Sequence, residues 1–460
     1  KKIEEIDDKS IDLIKNYEYR PNQEKYSSEI QKIIHGQKNI GVLEAGTGLG
    51  KSIGYLFPAI KQSKQRRKCV LISCHTKNLQ DQLFYKDLPI LSNALGININ
   101  ATLLKGRSNY LCKTRLNWLI NEKNKNLSSK DIESILPLII WLSFTKTGDL
   151  SECSGFWNSR PIKTPSLIKS DKGYCTTAIC GQNDGCYFGK IRRAALDTEL
   201  LVINHALLFA EIESEGILPE HDTIIIDEAH NLVDTAYNQL QKSINAKPII
   251  SAIERIDPEN KSVTYWKKQL DYVSSKKKSL SDLVIDLHES IKSCKLKTNT
   301  LFDEIIFNVN SRFNPSSKYA EKYIIYDLKE EYGIFNNEFH LLKSDIHSIL
   351  EILRSLNIQI KSIGETNNEF SEILTQVESH VDSLNIILEL IDDLTQDQNP
   401  DWVYWQEGTY RNEEDLELTL YGSPIDISKN LVKEFFNKVD YCILTSATLR
   451  VDDSFNYYFT

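Results

Sequence analysis

The sequence contains no methionine in 460 residues. A chain of this length ordinarily holds several, so we expect a trimmed chain or one whose methionines were substituted or omitted. Spacings across an omitted residue would then be short by one. No run of eighteen apolar residues occurs, and the first residues, KKIEEIDDKS, lack an apolar stretch of the signal-peptide kind. Neither a membrane span nor a secretory signal is expected. Cysteines are few and odd in number, nine in all. That argues against a disulfide framework and for a reducing, cytoplasmic setting.

A strong positive charge is missing too: the net charge is −9. A nucleic-acid contact would therefore have to be local. Basic clusters exist at KQSKQRRK (61–68) and SSKKKS (274–279), where a solvated helix end or loop is the plainer reading. Hydrophobic residues make up 41% and charged residues 26%, the balance of a globular chain long enough for two or three cores.

Five short apolar runs read as buried strands of a parallel sheet: NIGVLEAG (39–46), CVLISC (69–74), ELLVINH (199–205), DTIIIDEAH (222–230) and DYCILTSATL (440–449). A long insertion, about 106–190, separates the second from the third and carries five of the nine cysteines. Another, about 236–398, separates the fourth from the fifth. Within it Leu342, Ile346, Ile349, Leu353 and Leu356 recur at helical spacing, as do Val377, Val381, Leu384, Leu388 and Ile391. The expected class is α/β, one core interrupted twice.

The first strand runs into EAGTGLGKS (44–52), followed by the helical SIGYLFPAIKQ. A loop that wraps phosphates aims its N–H groups inward and tolerates little side-chain bulk. Gly46, Gly48 and Gly50, with Thr47 among them, meet that need. Lys51 can reach the outer phosphates, Ser52 can ligate Mg²⁺, and the helix adds its positive end. Ala45 stands where the usual pattern has its first glycine, so a strict search would miss the loop. A nucleotide is the expected ligand.

IIIDEAH ends another strand on two carboxylates. Asp227 would hold Mg²⁺, and Glu228 would orient and deprotonate an attacking water. Such a pair is common at strand ends; the phosphate loop upstream and Ala229-His230 behind give it weight. LTSATL (444–449) places Thr445, Ser446 and Thr448 at a third strand end. Alone these would be caps, but here they would sense the terminal phosphate. Cys175, Cys180 and Cys186 are spaced C-x₄-C-x₅-C. By spacing alone an iron–sulfur cluster, zinc and no metal all remain open.

AGTGLGKS, DEAH and TSATL, in that order, resemble motifs I, II and III of superfamily 2 helicases. The insertions point to the iron–sulfur XPD/DinG branch. KGRSNYLC (105–112) and VINHALL (202–208) are similar to that branch, while WVYWQEG and LYGSPIDIS lean to its bacterial DinG side. The resemblance covers essentially the whole chain, though the helical insertion matches only in position and texture. It implies a first RecA-like motor domain at 1–105, 191–235 and 399–460, an iron–sulfur domain at 106–190 and an all-α Arch domain at 236–398. A second RecA-like domain is not expected in this chain, and by that reading the isolated piece would hydrolyse ATP poorly and not unwind.

The resemblance further implies that Arg20 and Gln23, in YEYRPNQ, lie near the nucleotide base. Thr76, Lys77 and Gln80, in SCHTKNLQDQL, would touch the DNA backbone, and His230, Ser446 and Thr448 would couple hydrolysis to DNA. It assigns a 4Fe–4S cluster to Cys175, Cys180 and Cys186, with Cys112 as fourth ligand and Cys153 as its competitor. Cys69, Cys74, Cys294 and Cys442 read as ordinary buried thiols. The implied activity is ATP-dependent 5′→3′ translocation on single-stranded DNA with unwinding at duplex junctions, by a monomer with no membrane partner. The alternatives are part of an exonuclease-fused protein and a non-catalytic iron–sulfur scaffold that binds DNA.

Overall fold

The computed structural model describes residues 20–36, 40–121, 127–171, 185–213, 216, 218–260, 264–317, 319–363, 370–411, 415–450 and 454–455. The chain divides into two compact units. The first takes Lys1–Gly106, Phe188–Leu240 and Asp426–Thr460; the second takes Arg107–Tyr187 and Gln241–Ile425.

The five apolar runs of the sequence form strands of the first unit. These are β1 (Ile40–Glu44), β2 (Cys69–Cys74), β4 (Leu200–Asn204), β5 (His221–Asp227) and β10 (Tyr441–Ser446). A sixth, β3 (Ala101–Leu103), is too short for a periodicity reading to find. All pairs are parallel, in the order β1-β10-β5-β2-β4-β3. β2 is buried at every position, as a strand covered on both faces must be. The register sets Leu43 beside Thr445 and Thr445 beside Asp227. The carboxyl ends of β1, β10 and β5 therefore lie side by side, where an open α/β sheet binds its ligands.

Two helices cover that end. α1 (Pro21–His35) starts with proline at its first turn and buries Tyr26, Ile30 and Ile34 at helical spacing. α2 (Lys51–Arg66) leaves the phosphate-type loop directly and buries Tyr55, Leu56, Phe57, Ala59 and Ile60. Ile30, Tyr55, Leu56, Val70, Ile72, Val202, Ile225 and Ile443 belong to one core cluster.

Among the described residues the second unit holds two separate core clusters. Residues 107–187 build a small one around Leu111, Leu116, Leu138, Trp141, Phe156, Ile168 and Tyr187. The other is dominated by three long helices, Lys278–Val309, Asn336–Ile363 and Ser371–Thr395. Leu342, Ile346, Ile349, Leu353 and Leu356 are buried, as their spacing requires, and so are Val377, Leu384, Leu388 and Ile391, with Val381 half-buried beside them.

The all-α reading of 236–398 needs correction. β6 (Lys242–Ile244) and β7 (Glu321–Ile325) join β8 (Trp402–Tyr410) and β9 (Leu416–Pro424) in an antiparallel sheet ordered β6-β9-β8-β7. Residues 402–424, expected with the parallel sheet, thus belong to the second unit. The physical reason is their pattern: buried and half-exposed positions alternate along β9, which suits a sheet with one solvated face.

Candidate nucleotide-binding site

The loop between β1 and α2 owes its shape to two glycines in left-handed conformations, Gly48 at φ +80° and Gly50 at φ +83°. At Gly50 a side chain would also collide with Gln23, whose Nε2 lies 2.2 Å from where a Cβ would stand. Gln23, itself buried, donates from that Nε2 to the Gly50 carbonyl at 2.8 Å. The Arg20 guanidinium donates to the Gly48 carbonyl. The two residues expected near a base thus grip the loop backbone. Ala45 is buried and its N–H donates to the Ser446 carbonyl at 2.8 Å, tying the loop to β10. Around Gly46 the space is open.

Lys51, at the first position of α2, reaches across to the end of β5: its Nζ lies 2.8 Å from Glu228 Oε1. Ser446 donates from Oγ to Glu228 Oε2 at 3.1 Å, and His230 Nδ1 lies 2.7 Å from the same Oγ. Asn231 Nδ2 completes the chain at 2.8 Å from His230 Nε2. With Ser446 donating to the carboxylate, the imidazole carries its hydrogen on Nδ1 and accepts from Asn231 on Nε2. The Thr448 N–H is 3.5 Å from Ser446 Oγ. Lys51, Glu228, His230 and Ser446 are thereby drawn into one network spanning three chain segments, with Thr448 at its edge.

The two carboxylates differ in environment. Burial pushes Asp227 above the usual carboxylate range; the Lys51 charge opposes this and the Glu228 charge adds to it. Burial also works to raise Glu228, but the Lys51 hydrogen bond and charge, the Ser446 hydroxyl and His230 outweigh it and hold Glu228 low. Asp227 Oδ2 accepts from the Tyr55 hydroxyl at 3.0 Å and Oδ1 from the Glu228 N–H at 3.0 Å. Glu228 itself has φ +54°, a left-handed conformation that costs a non-glycine residue energy and collects at functional sites. Ser52 and Asp227 supply a hydroxyl and a carboxylate, the oxygen donors that suit Mg²⁺, and the Ser52 hydroxyl is hydrogen-bonded to the Asp87 carboxylate.

Four participants escaped the sequence reading. Tyr55 holds Asp227. Tyr26 donates from its hydroxyl to Thr445 Oγ1 at 2.7 Å, fastening α1 to β10. Glu44 accepts from the Leu449 and Arg450 N–H groups, both at 2.9 Å, and from Arg450 Nε at 3.0 Å. Those backbone and side-chain bonds hold the Glu44 carboxyl down to about 2. The fourth is His205, in VINHALL, fully buried with Nδ1 2.7 Å from Ser73 Oγ. An acid ending an apolar strand and a histidine ending another were the only signals.

Of the residues expected on DNA, Thr76 and Lys77 are exposed, and Thr76 caps the helix Lys77–Gln82 by accepting from the Leu79 N–H at 3.3 Å. Gln80 is corrected: it is fully buried, so its side chain faces the core and not a DNA backbone.

Cys175 and Cys180 lie outside the described residues. Cys112 is buried and Cys186 half-buried, and their chain neighbours Leu111 and Tyr187 share one core cluster. Among the described residues no group of three or more His, Cys, Asp or Glu is arranged to hold a metal. Cys153 sits inside the same core with its Sγ toward the Pro137 carbonyl, and burial pushes its thiol up. Burial likewise raises Cys69, Cys294 and Cys442, each to about 12, and lifts Cys74 well above its usual value, so all four behave as core thiols. No helix among the described residues is long and apolar enough to cross a membrane.

A glycine-shaped loop, its lysine on an acidic strand end and a serine–histidine link to a third strand have the arrangement of a P-loop, which is suited to phosphate groups. No family model matches the chain. It is 29% identical over 457 residues to the "ATP-dependent DNA helicase YoaA" of Haemophilus influenzae, covering 97% of this chain and 62% of that protein. It is 24% identical over 459 residues to the "3′-5′ exonuclease DinG" of Bacillus subtilis, covering 97% of this chain and 47% of that protein. A solved XPD helicase aligns over 94% of this chain and 59% of that one, with a TM-score of 0.43 and 17% identity. The chain spans about half to three-fifths of the length of these two curated relatives. The chain is thus similar over nearly its whole length to one protein named an ATP-dependent DNA helicase and to one named DinG.

Proposed function

We propose that the chain is the motor part of an ATP-dependent 5′→3′ DNA helicase that translocates on single-stranded DNA and separates duplexes at junctions. The single observation that carries this reading is the contact of Lys51 with Glu228, linked through Ser446 and His230 to the third strand end. A nucleotide's outer phosphates would draw the Lys51 ammonium, leaving Glu228 as a carboxylate free to orient and deprotonate water. Its low proton affinity keeps it ionised at neutral pH. Ser446 and His230 would then report the change at Glu228 to β10 and the segment after it. Ser52 and Asp227 would hold Mg²⁺, which when bound neutralises developing phosphate charge. The loop grip by Arg20 and Gln23 keeps the N–H groups of 46–52 preorganised.

Within the same reading, residues 106–190 form the iron–sulfur domain, with Cys112, Cys175, Cys180 and Cys186 holding a 4Fe–4S cluster. The donor set is thiolate, as such clusters require. Leu111 and Tyr187 in one core bring two of the four sulfurs' neighbourhoods together, while Cys153 is engaged as a packing residue, which favours Cys112. Residues 236–398 correspond to the Arch domain, and the exposed Thr76 and Lys77 to DNA contacts. The enzyme is expected to act as a cytoplasmic monomer.

The test is unwinding by the full-length protein of duplexes with either a 5′ or a 3′ single-stranded tail, with Lys51→Ala as control and iron measured alongside. Unwinding of the 5′-tailed duplex that vanishes in the variant supports the reading. Unwinding indifferent to Lys51 overturns it. The printed name of the Bacillus subtilis relative favours a second reading, a motor within an exonuclease-fused protein. Degradation of single-stranded DNA without ATP would select it.

A further inference from the structure

One buried side chain lies between the acidic end of β5 and the end of β2 that leads into Thr76. His205 follows β4 directly and is 0% exposed. Its Nδ1 is 2.7 Å from Ser73 Oγ, and its ring centroid is 5.9 Å from that of His75. Ser73 pairs with Ile203 on one side and Ile226 on the other, so the ring is enclosed by the ends of β2, β4 and β5. Its Nε2 is buried and makes no full hydrogen bond, yet it faces the main-chain carbonyls of Asp227 and Glu228.

A histidine kept only for packing normally has both nitrogens satisfied. Burial holds this imidazole neutral, with its proton affinity down at about 4. A neutral ring that accepts from the Ser73 hydroxyl on Nδ1 carries its hydrogen on Nε2, aimed at the acidic box. That box includes a left-handed backbone, Glu228 at φ +54°, of the kind that persists only where its surroundings hold it.

We infer that His205 is a positioning residue that fixes the Asp227–Glu228 backbone according to the position of the segment 73–77, so that single-stranded DNA seated on that segment aligns Glu228. This rests on the motor reading above. His205 touches no substrate, and no bond to it is made or broken.

The experiment measures ATP hydrolysis by the full-length protein with and without single-stranded oligothymidylate. It compares wild type, Lys51→Ala, His205→Asn and His205→Gln. Asn keeps a partner for Ser73 but has no donor at the Nε2 position; Gln restores that donor. His205→Asn should lose about tenfold of the DNA stimulation, seen in kcat with KM for ATP nearly unchanged, and Gln should recover most of it. Stimulation of His205→Asn equal to wild type overturns the inference, and so does equal loss in Asn and Gln accompanied by equal loss of thermal stability. If His205→Asn does not fold, Ser73→Ala replaces it, with undiminished stimulation as the overturning result. If wild type shows no Lys51-dependent hydrolysis, the motor reading fails and this inference with it.

Discussion

Two buried aspartates, one in each unit, are held in opposite ways. Asp131 lies in the small core of 107–187 and is 0% exposed. It accepts from the N–H groups of Ile162, Lys163 and Thr164 at 2.8, 2.7 and 2.9 Å, and from the Thr164 hydroxyl at 3.0 Å. Its other oxygen takes the Ser128 N–H and hydroxyl, closing a capping box on the helix Ser129–Leu142. Burial works to raise its carboxyl, but these bonds hold it well below the usual range. Asp227, also buried, has one tyrosine and one backbone donor and is pushed upward. The lesson is in the unfilled capacity. A carboxylate saturated by its own chain staples structure, whereas Asp227 keeps acceptor capacity that its own chain does not fill.

The largest effect that would break this contrast is at the acidic box. Glu228→Gln should lower DNA-stimulated ATP hydrolysis by roughly 10²-fold while nucleotide still binds, as read by steady-state kinetics and fluorescent-nucleotide titration. Next, Asp131→Ala should destabilise the unit by about 3 kcal/mol, because three buried N–H groups lose their acceptor. Chemical denaturation measures it, and nucleotide affinity should not move. If nucleotide affinity fell with stability, the separation of roles would be lost.

A pH series sharpens the same point. The folded-state value of Asp131 lies below the unfolded one, so its contribution is complete above about pH 4 and is lost as pH falls from there toward the folded value. The stability gap between wild type and Asp131→Asn should therefore narrow only below about pH 4. The smallest expected effect is at the loop grip. Gln23→Ala removes one hydrogen bond to Gly50, worth about 1 kcal/mol, and should weaken nucleotide binding roughly fivefold by titration.

Much of this was legible in the residues. Continuous apolar runs ending in Gly-rich or acidic turns marked five strands, and EAGTGLGKS marked the loop, because their chemistry is local. The helical spacing of Leu342 to Leu356 predicted the buried face of Asn336–Ile363. What escaped was set by tertiary neighbours. β3 is three residues long and exists because β4 offers it an edge. β6 and β7 pair with strands far along the chain, so no window of sequence announced them. Tyr26, Tyr55 and His205 carry polar atoms that gain meaning only from Thr445, Asp227 and Ser73 across the sheet. Gln80 failed for the converse reason: its motif position was clear, but which side of a two-turn helix faces inward depends on packing.

The central claim is that the ends of β1, β5 and β10 form a nucleotide-hydrolysing site. It is tested most directly by parallel measurement of ATP binding and DNA-stimulated ATP hydrolysis in wild type, Lys51→Ala and Glu228→Gln. Binding retained in Glu228→Gln and weakened in Lys51→Ala, with hydrolysis lost in both, is the predicted result. Hydrolysis in either variant at the wild-type rate would contradict it.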